Sequence, residues 1–158
     1  MAAPATTARS TPLGIALSDG YSTKIAFAAA PDISFWEKTV GPPSLDGGDA
    51  IATTPMHNAA YRTLSSRALI TLGESSVTVA YDPDLYDEVL GIINVNNAIT
   101  VHFPDGSTLD FWGFLRTFEP GENAEGEQPE ATITIQPTNY DPNNNVEAGP
   151  VLTEVAGT

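Results

Sequence analysis

The side chains that could carry out chemistry in this sequence are few and widely spaced. His57 and His102 are its only histidines, and cysteine is absent, which removes thiol nucleophiles, disulfides and thiolate metal sites. A hydrolytic triad needs a histidine near a serine and an acid, and the sequence contains no Gly-x-Ser-x-Gly motif. We expect His57 to serve an interface and His102 to lie on the polar face of a strand. The sequence therefore predicts that the protein is not an enzyme.

Three groups of carboxylates could act as an acid–base pair or bind a metal. Asp46 and Asp49 flank two glycines, which is typical of a turn in which each aspartate caps the backbone. The glutamates between 122 and 127 lie in a polar run, so we expect them to be solvated. The segment 141–145 opens like an EF-hand loop, but it lacks the glycine and the glutamate required at loop positions six and twelve. The sequence thus predicts no catalytic, cofactor or metal site.

Aromatic side chains leave one alternative from a different class of protein. Trp36 and Trp112 could stack on sugars, and Tyr61 could assist them. Each tryptophan lies in a strand pattern, where packing in a core or an interface is the ordinary role. A carbohydrate-binding β-sandwich is therefore the alternative to a structural protein.

Charge and hydropathy exclude two classes of partner. The chain of 158 residues carries 20 acidic and 6 basic residues, for a net charge of −14. The cations are scattered, so no basic stripe exists for phosphate contacts and we expect no binding to double-stranded DNA. No stretch approaches the ~20 apolar residues that span a membrane, and the N-terminus lacks a signal-peptide pattern. We expect a soluble protein that is not addressed to a secretory route.

Alternating apolar residues predict seven strands, and one segment predicts a helix. Asp82 as N-cap followed by Pro83 marks a helix that ends near 94–97. The expected strands are 23–27, 33–38, 68–72, 75–81, 99–103, 108–118 and 130–136. We expect the first two to form a hairpin, and 99–103 to form another with 108–118. The fold class is therefore mainly β: an antiparallel two-sheet β-sandwich or open barrel with one flanking α-helix.

The remaining segments suggest the organisation of the chain. Residues 1–12 are expected to be a flexible N-terminal arm, 13–137 the β-domain and 138–158 a C-terminal arm. The domain includes a long loop at 41–66 that has no strand or helix period. Its apolar side chains are too numerous to leave in water, so we expect them to contact another surface. They include Leu45, Ile51, Met56 and Tyr61.

Small polar side chains alternate with the apolar ones along several predicted strands. Such a face can meet water without binding anything, which suits the lining of a channel and also an ordinary exposed sheet. The candidate lumen-facing residues are Ser76, Thr78, Thr100, Thr132, Thr134 and Gln136.

Taken in order and spacing, these segments make the chain similar to a known family from about Ile33 to Pro150. It resembles the major tail (tail tube) proteins of long, non-contractile-tailed bacteriophages and related prophages. The segments that carry the resemblance are LDGGD at 45–49, NAAYRT at 58–63, VAYDP at 79–83, FPDGSTLDFWGF at 103–114, PGE at 120–122, EGEQP at 125–129 and TITIQPTN at 132–139.

The resemblance implies a virion structural protein, made in the host cytoplasm, that forms hexameric rings stacked into a tail tube. DNA would pass through the tube at ejection without being bound. The implied partners are copies of itself and other tail proteins: the tape measure, the tail terminator and a baseplate or distal tail protein. The long loop would contact the next ring through Leu45, Asp46, Gly47, Gly48, Asp49, Ile51, Met56, Tyr61 and Arg62. A tube protein of a related device, a gene transfer agent or secretion-system tube, is the alternative within this class.

Overall fold

The computed structural model describes residues 20–33 and 35–154. Within them the chain is mainly β with one α-helix, as the sequence predicts. In chain order the elements are β1 (Lys24–Phe27), β2 (Glu37–Gly41), β3 (Leu45–Asp46), β4 (Ile51–Ala52), β5 (Leu64–Ser65), β6 (Thr71–Leu72), β7 (Ser75–Ala80), α1 (Pro83–Leu90), β8 (Asn97–His102), β9 (Thr108–Pro120), β10 (Glu130–Pro137), β11 (Tyr140–Asp141), β12 (Val146–Glu147) and β13 (Val151–Thr153).

Seven strands form one antiparallel sheet, in the order β1-β8-β9-β10-β7-β2 with β13 also beside β9. The sheet curls into a half-barrel, so its concave face encloses the core without a second large sheet. Of the two arrangements that the sequence allows, the open barrel is the one observed. The other six strands pair as three short two-stranded sheets: β3 with β6, β4 with β5, and β11 with β12.

The core lies on one face of the curled sheet because apolar residues alternate with polar ones along its strands. In β10 the buried residues Ala131, Ile133 and Ile135 alternate with half-buried threonines. Fully burying one such side chain contributes roughly 1.5–3 kcal/mol relative to leaving it exposed. The fully buried apolar positions are Val77, Val79, Ile99, Val101, Leu115, Ile133 and Ile135, with Phe111 almost as buried.

Helix α1 begins where the sequence predicts and ends earlier. The Asp82 carboxylate accepts a hydrogen bond from the Asp84 backbone N–H at 3.2 Å, and Pro83 opens the helix. Leu85 and Val89 are buried in the core cluster that the sheet forms. The helix stops at Leu90 because the following backbone pairs with β9: the N–H of Asn94 donates to the Leu115 carbonyl at 3.0 Å.

The predicted hairpin of β8 and β9 is confirmed. Ile99 lies opposite Phe111, and His102 lies opposite Thr108. In the connecting turn, hydrogen bonds from the Ser107 hydroxyl and backbone N–H lower the pKa of the Asp105 carboxyl. These bonds fix the turn that sets the register of the two strands.

The first predicted hairpin is wrong. Strand β1 pairs with β8 and β2 pairs with β7, so the two lie at opposite ends of the strand order. The segment between them contributes Phe35 to the core, where it meets Phe27 edge to face with ring centroids 5.8 Å apart. The second strand accordingly starts at Glu37 rather than at position 33. Alternation identifies strands, but it does not choose their partners.

The range 138–158, expected to be a C-terminal arm, includes a strand of the main sheet. Strand β13 pairs with β9, with Val151 opposite Asp110 and Thr153 opposite Thr108. The chain is therefore part of the sheet as far as Thr153. The expected arm at 1–12 lies outside the described residues, so the domain boundaries stay predictions.

Gly113 lies where β9 approaches β10 most closely. A Cβ added there would lie 2.7 Å from the Gln136 carbonyl oxygen and 3.1 Å from the Pro137 Cα, both backbone atoms. We expect Gly113→Ala to lower the free energy of unfolding by about 1–3 kcal/mol, because the strands must separate to admit the methyl group. Gly149→Ala is the matched control, since nothing lies within 4 Å of its added Cβ. Urea titration of both variants checks this; equal midpoints would contradict the close approach.

Candidate assembly surfaces

The most prominent surface feature is a hairpin that leaves the main sheet between β2 and β7, which we call the arm (residues 44–73). Its strands pair as β3 with β6 and β4 with β5, and the Gly73 N–H donates to the Ser44 carbonyl at 2.7 Å. Every residue from 44 to 71 is exposed. The long loop at 41–66 therefore forms the outgoing side, the tip and the first part of the returning side of this hairpin. The strand predicted at 68–72 lies on the returning side, where only Thr71 and Leu72 are paired.

Near the base of the arm, polar groups hold a turn. The Asp46 carboxylate accepts the Gly48 N–H at 2.9 Å, and Gly48 has a φ of 80°, which glycine adopts without strain. The Arg67 Nε donates to the Asp49 carbonyl at 2.7 Å and so ties the two sides of the arm together. The Asp46 carboxylate thus caps the turn, as predicted, whereas the contact of Asp49 is made by its backbone carbonyl.

The arm presents apolar side chains to solvent along its length. At its tip the Asn58 side-chain amide donates to the Tyr61 carbonyl at 2.9 Å, which shapes the turn. Met56 is fully exposed and Tyr61 is 85% exposed. All nine residues predicted to contact the next ring lie on the arm and are exposed; the contact itself stays a prediction. The large exposed apolar side chains of the arm are Leu45, Ile51, Met56, Tyr61, Leu64, Leu69 and Ile70.

The six candidate lumen-facing residues lie on one face of the main sheet, opposite the core. Thr78 is the register partner of Thr132, and Ser76 is that of Thr134. Thr100 donates from its hydroxyl to the Asp110 carboxylate at 2.6 Å. Each of the six alternates with buried residues in its strand, so the whole set is directed away from the core. Whether this face lines a channel stays a prediction.

The curled sheet does not close, and a cleft of 700 Å³ lies between its two end strands, β1 and β2. A hydrogen bond crosses it: the Ile25 N–H donates to the Glu37 carboxylate at 3.2 Å. Trp36 is 70% exposed at this cleft, which places it at an edge rather than in the core. In the described part of the chain, β1 and β2 each pair with a strand on one side only.

The other candidate groups stay apart. His57 is exposed on the arm, and His102 is exposed on the face of β8 opposite the core, across from Thr108. Asp141 accepts backbone N–H groups of Asn143 and Asn144, which makes the 141–145 segment the turn of the β11–β12 hairpin. Among the described residues, no three His, Asp or Glu side chains come together as a metal site. No helix in the same residues is long and apolar enough to cross a membrane.

Sequence reasoning missed an apolar groove of 440 Å³ at the base of the arm. Leu69 and Ile70 line one side of it, and Gly149 and Pro150 line the other. The sequence did carry one signal for this groove: the segment 50–73 contains none of the chain's 20 acidic residues.

Comparison with known proteins supports the fold but no named family. No protein-family model matches the chain, and no curated protein sequence matches it. Among solved structures, a chain of an extracellular contractile injection system, the PVC sheath–tube complex in its extended state, is similar: the TM-score is 0.54 with 14% identity over 97% of this chain and 100% of that one. A chain of the anti-feeding prophage baseplate, in a six-fold symmetrised cryo-EM structure, also has a TM-score of 0.54, with 10% identity over 85% of this chain and 92% of that one.

This chain shares the fold of contractile injection system components. At these identities the likeness establishes the fold alone, and it covers nearly the full length of both chains. The shared fold is the part of the sequence resemblance that this comparison supports.

Proposed function

We propose that this protein is the subunit of the tube of a phage-tail-like particle. Copies join side by side into hexameric rings, and the rings stack into a tube. The protein is a structural component of the particle and not an enzyme. Its partners are other copies of itself and the proteins that cap, fill and attach such a tube.

The observation that carries this proposal is the unclosed sheet. Strands β1 and β2 leave two sheet edges on either side of an open cleft. An unpaired edge exposes backbone donors and acceptors and invites pairing with another chain. Joining these edges between neighbouring copies would satisfy them and build a larger barrel, and the six-fold symmetry of the similar baseplate structure supports a ring of six.

The face of the sheet opposite the core suits the inner wall of such a barrel. Its six hydroxyl and amide side chains are uncharged; Lys24 is exposed on the same face, and the chain as a whole has a net charge of −14. An acidic, hydroxylated wall repels DNA and lets it slide. In a phage tail this would make the tube a conduit for DNA ejection.

Two kinds of particle fit the proposal. The sequence motifs favour the tail tube of a long, non-contractile-tailed phage, whereas both similar structures belong to contractile systems. Mass spectrometry of particles that contain this protein separates them, because a sheath subunit occurs only in the contractile kind.

Negative-stain electron microscopy of the concentrated, purified protein tests the proposal directly. We expect six-fold rings or hollow tubes, because the free edges and the exposed arm are complementary only between copies. A wild-type protein that stays monomeric at high concentration, under several salt conditions, would contradict the proposed function.

A further inference from the structure

The arm differs in charge from the rest of the chain. Residues 50–73 contain two of the six cations, Arg62 and Arg67, and none of the 20 acids. The arm as a whole is neutral, because Asp46 and Asp49 lie near its base, but the acid-free part at 50–73 is cationic and apolar on a strongly anionic subunit. Like charges keep the anionic bodies of two copies apart, whereas this acid-free part is attracted to them.

Neither arginine of the acid-free part at 50–73 forms an ion pair among the described residues. Arg67 donates to the Asp49 backbone carbonyl, not to a carboxylate. The ion pairs among the described residues are Lys38 with Glu130 and Arg116 with Glu74, and neither involves the arm's cations. Arg62 therefore lies beside Tyr61 at the tip, available to a partner.

The complementary surface is the turn between β9 and β10. A cleft of 590 Å³ at this turn is lined by Glu122, Glu127 and Glu130, with Lys38 as its one cation. Because Lys38 pairs with Glu130, the remaining glutamates keep their charge exposed to solvent. This acidic turn carries Glu119, Glu122, Glu125, Glu127 and Glu130.

The arm and the acidic turn lie at opposite ends of the same strands. The arm joins β7 at Ser75, whose register partner is Ile135, whereas the far end of β7, Ala80, pairs with Glu130 beside the turn. From Ser44 to its tip at Asn58, a fully extended arm is up to about 45 Å long. The six residues of β7 span only about 20 Å, so the arm is long enough to reach beyond its own subunit. A contact between arm and turn is therefore made between two copies, head to tail, and it does not close on itself.

We infer that the arm of one copy docks on the acidic β9–β10 turn of the next, with Arg62 facing Glu122 and Glu127. This rests on the proposed function, in which rings stack, and names the surface that receives the arm.

Disulfide trapping tests this contact, because the natural chain contains no cysteine. Ala60→Cys at the tip and Ala124→Cys in the turn keep every charged residue, and both alanines are exposed. Mixing the two single variants, one carrying a tag, under mild oxidation should give a mixed dimer on a non-reducing gel. The control is Ala60→Cys mixed with Ala148→Cys, near the groove at the arm's own base. We expect at least tenfold more mixed dimer from the Ala60–Ala124 pair.

The chain with both cysteines should give a ladder of dimers, trimers and longer chains, because the contact is head to tail. A yield no higher than that of the control, or a stronger Ala60–Ala148 link, would overturn the inference. Electron microscopy of the same samples separates the two proposals. Tubes without the Ala60–Ala124 link refute only the docking surface, whereas the link without rings or tubes refutes the proposed function and leaves the contact.

Discussion

Replacing arm residues 45–71 with a short Gly/Ser turn is expected to give a folded monomer that no longer forms tubes. All the removed side chains are exposed, so the core loses nothing, and the Gly73–Ser44 hydrogen bond that closes the base is kept. Shortening a connection changes its closure entropy only slowly. We expect the unfolding free energy to stay within about 1 kcal/mol of the natural value. Assembly loses the inter-ring contact entirely, leaving monomers or single rings.

Circular dichroism with thermal melting measures the fold, and sedimentation with electron microscopy measures assembly. A matched control keeps the arm but changes two side chains at its tip, Met56→Ser with Tyr61→Ser. Partial loss of tubes in this control would assign part of the contact to apolar burial. Normal tubes without the arm would show that the arm has no role in stacking. An unfolded monomer would show instead that the arm belongs to the subunit core.

Local signals in the sequence predicted local structure well. The helix start follows from Asp82 and Pro83, whose capping bond and fixed φ act within one turn of chain. The β8–β9 hairpin follows from alternation around the tight turn at Asp105 and Gly106. Period-two alternation also placed the six small polar residues on one face of the sheet, because that period decides the face without knowledge of the partner strand.

Non-local structure was not predictable in the same way. The partner of β1 is β8, more than 70 residues away, and nothing in either strand's own pattern identifies the other. The arm has no period because it is exposed on nearly all sides, so β5 was not predicted, and β6 was covered only as the end of the strand predicted at 68–72. The sequence marked the arm only by apolar residues in a segment without acids. That pattern indicates an interface and does not predict a hairpin.

Val89→Asp on α1 is expected to unfold the protein at room temperature or leave it barely stable. Leu90→Asp, one position further along the helix, is expected to leave the stability nearly unchanged. Val89 is 3% exposed within the core cluster, and Leu90 is 58% exposed. The Val89→Asp carboxylate would have no ion-pair or hydrogen-bond partner among the apolar side chains that surround it. Burying an unpaired charged group and losing the valine together cost about 3–5 kcal/mol, a large part of a typical domain's stability of about 5–15 kcal/mol.

Leu90→Asp is the matched control, because the substitution adds the same charge to the same helix turn. We expect its unfolding free energy to change by less than about 0.5 kcal/mol, as for most surface positions. Any unfavourable interaction of the new carboxylate with the helix C-terminus affects both variants, so the difference between them reports burial alone. Chemical denaturation followed by tryptophan fluorescence measures this difference through Trp36 and Trp112. Equal stability of the two variants would show that α1 does not pack on the core of the curled sheet. Another element would then have to cover that core.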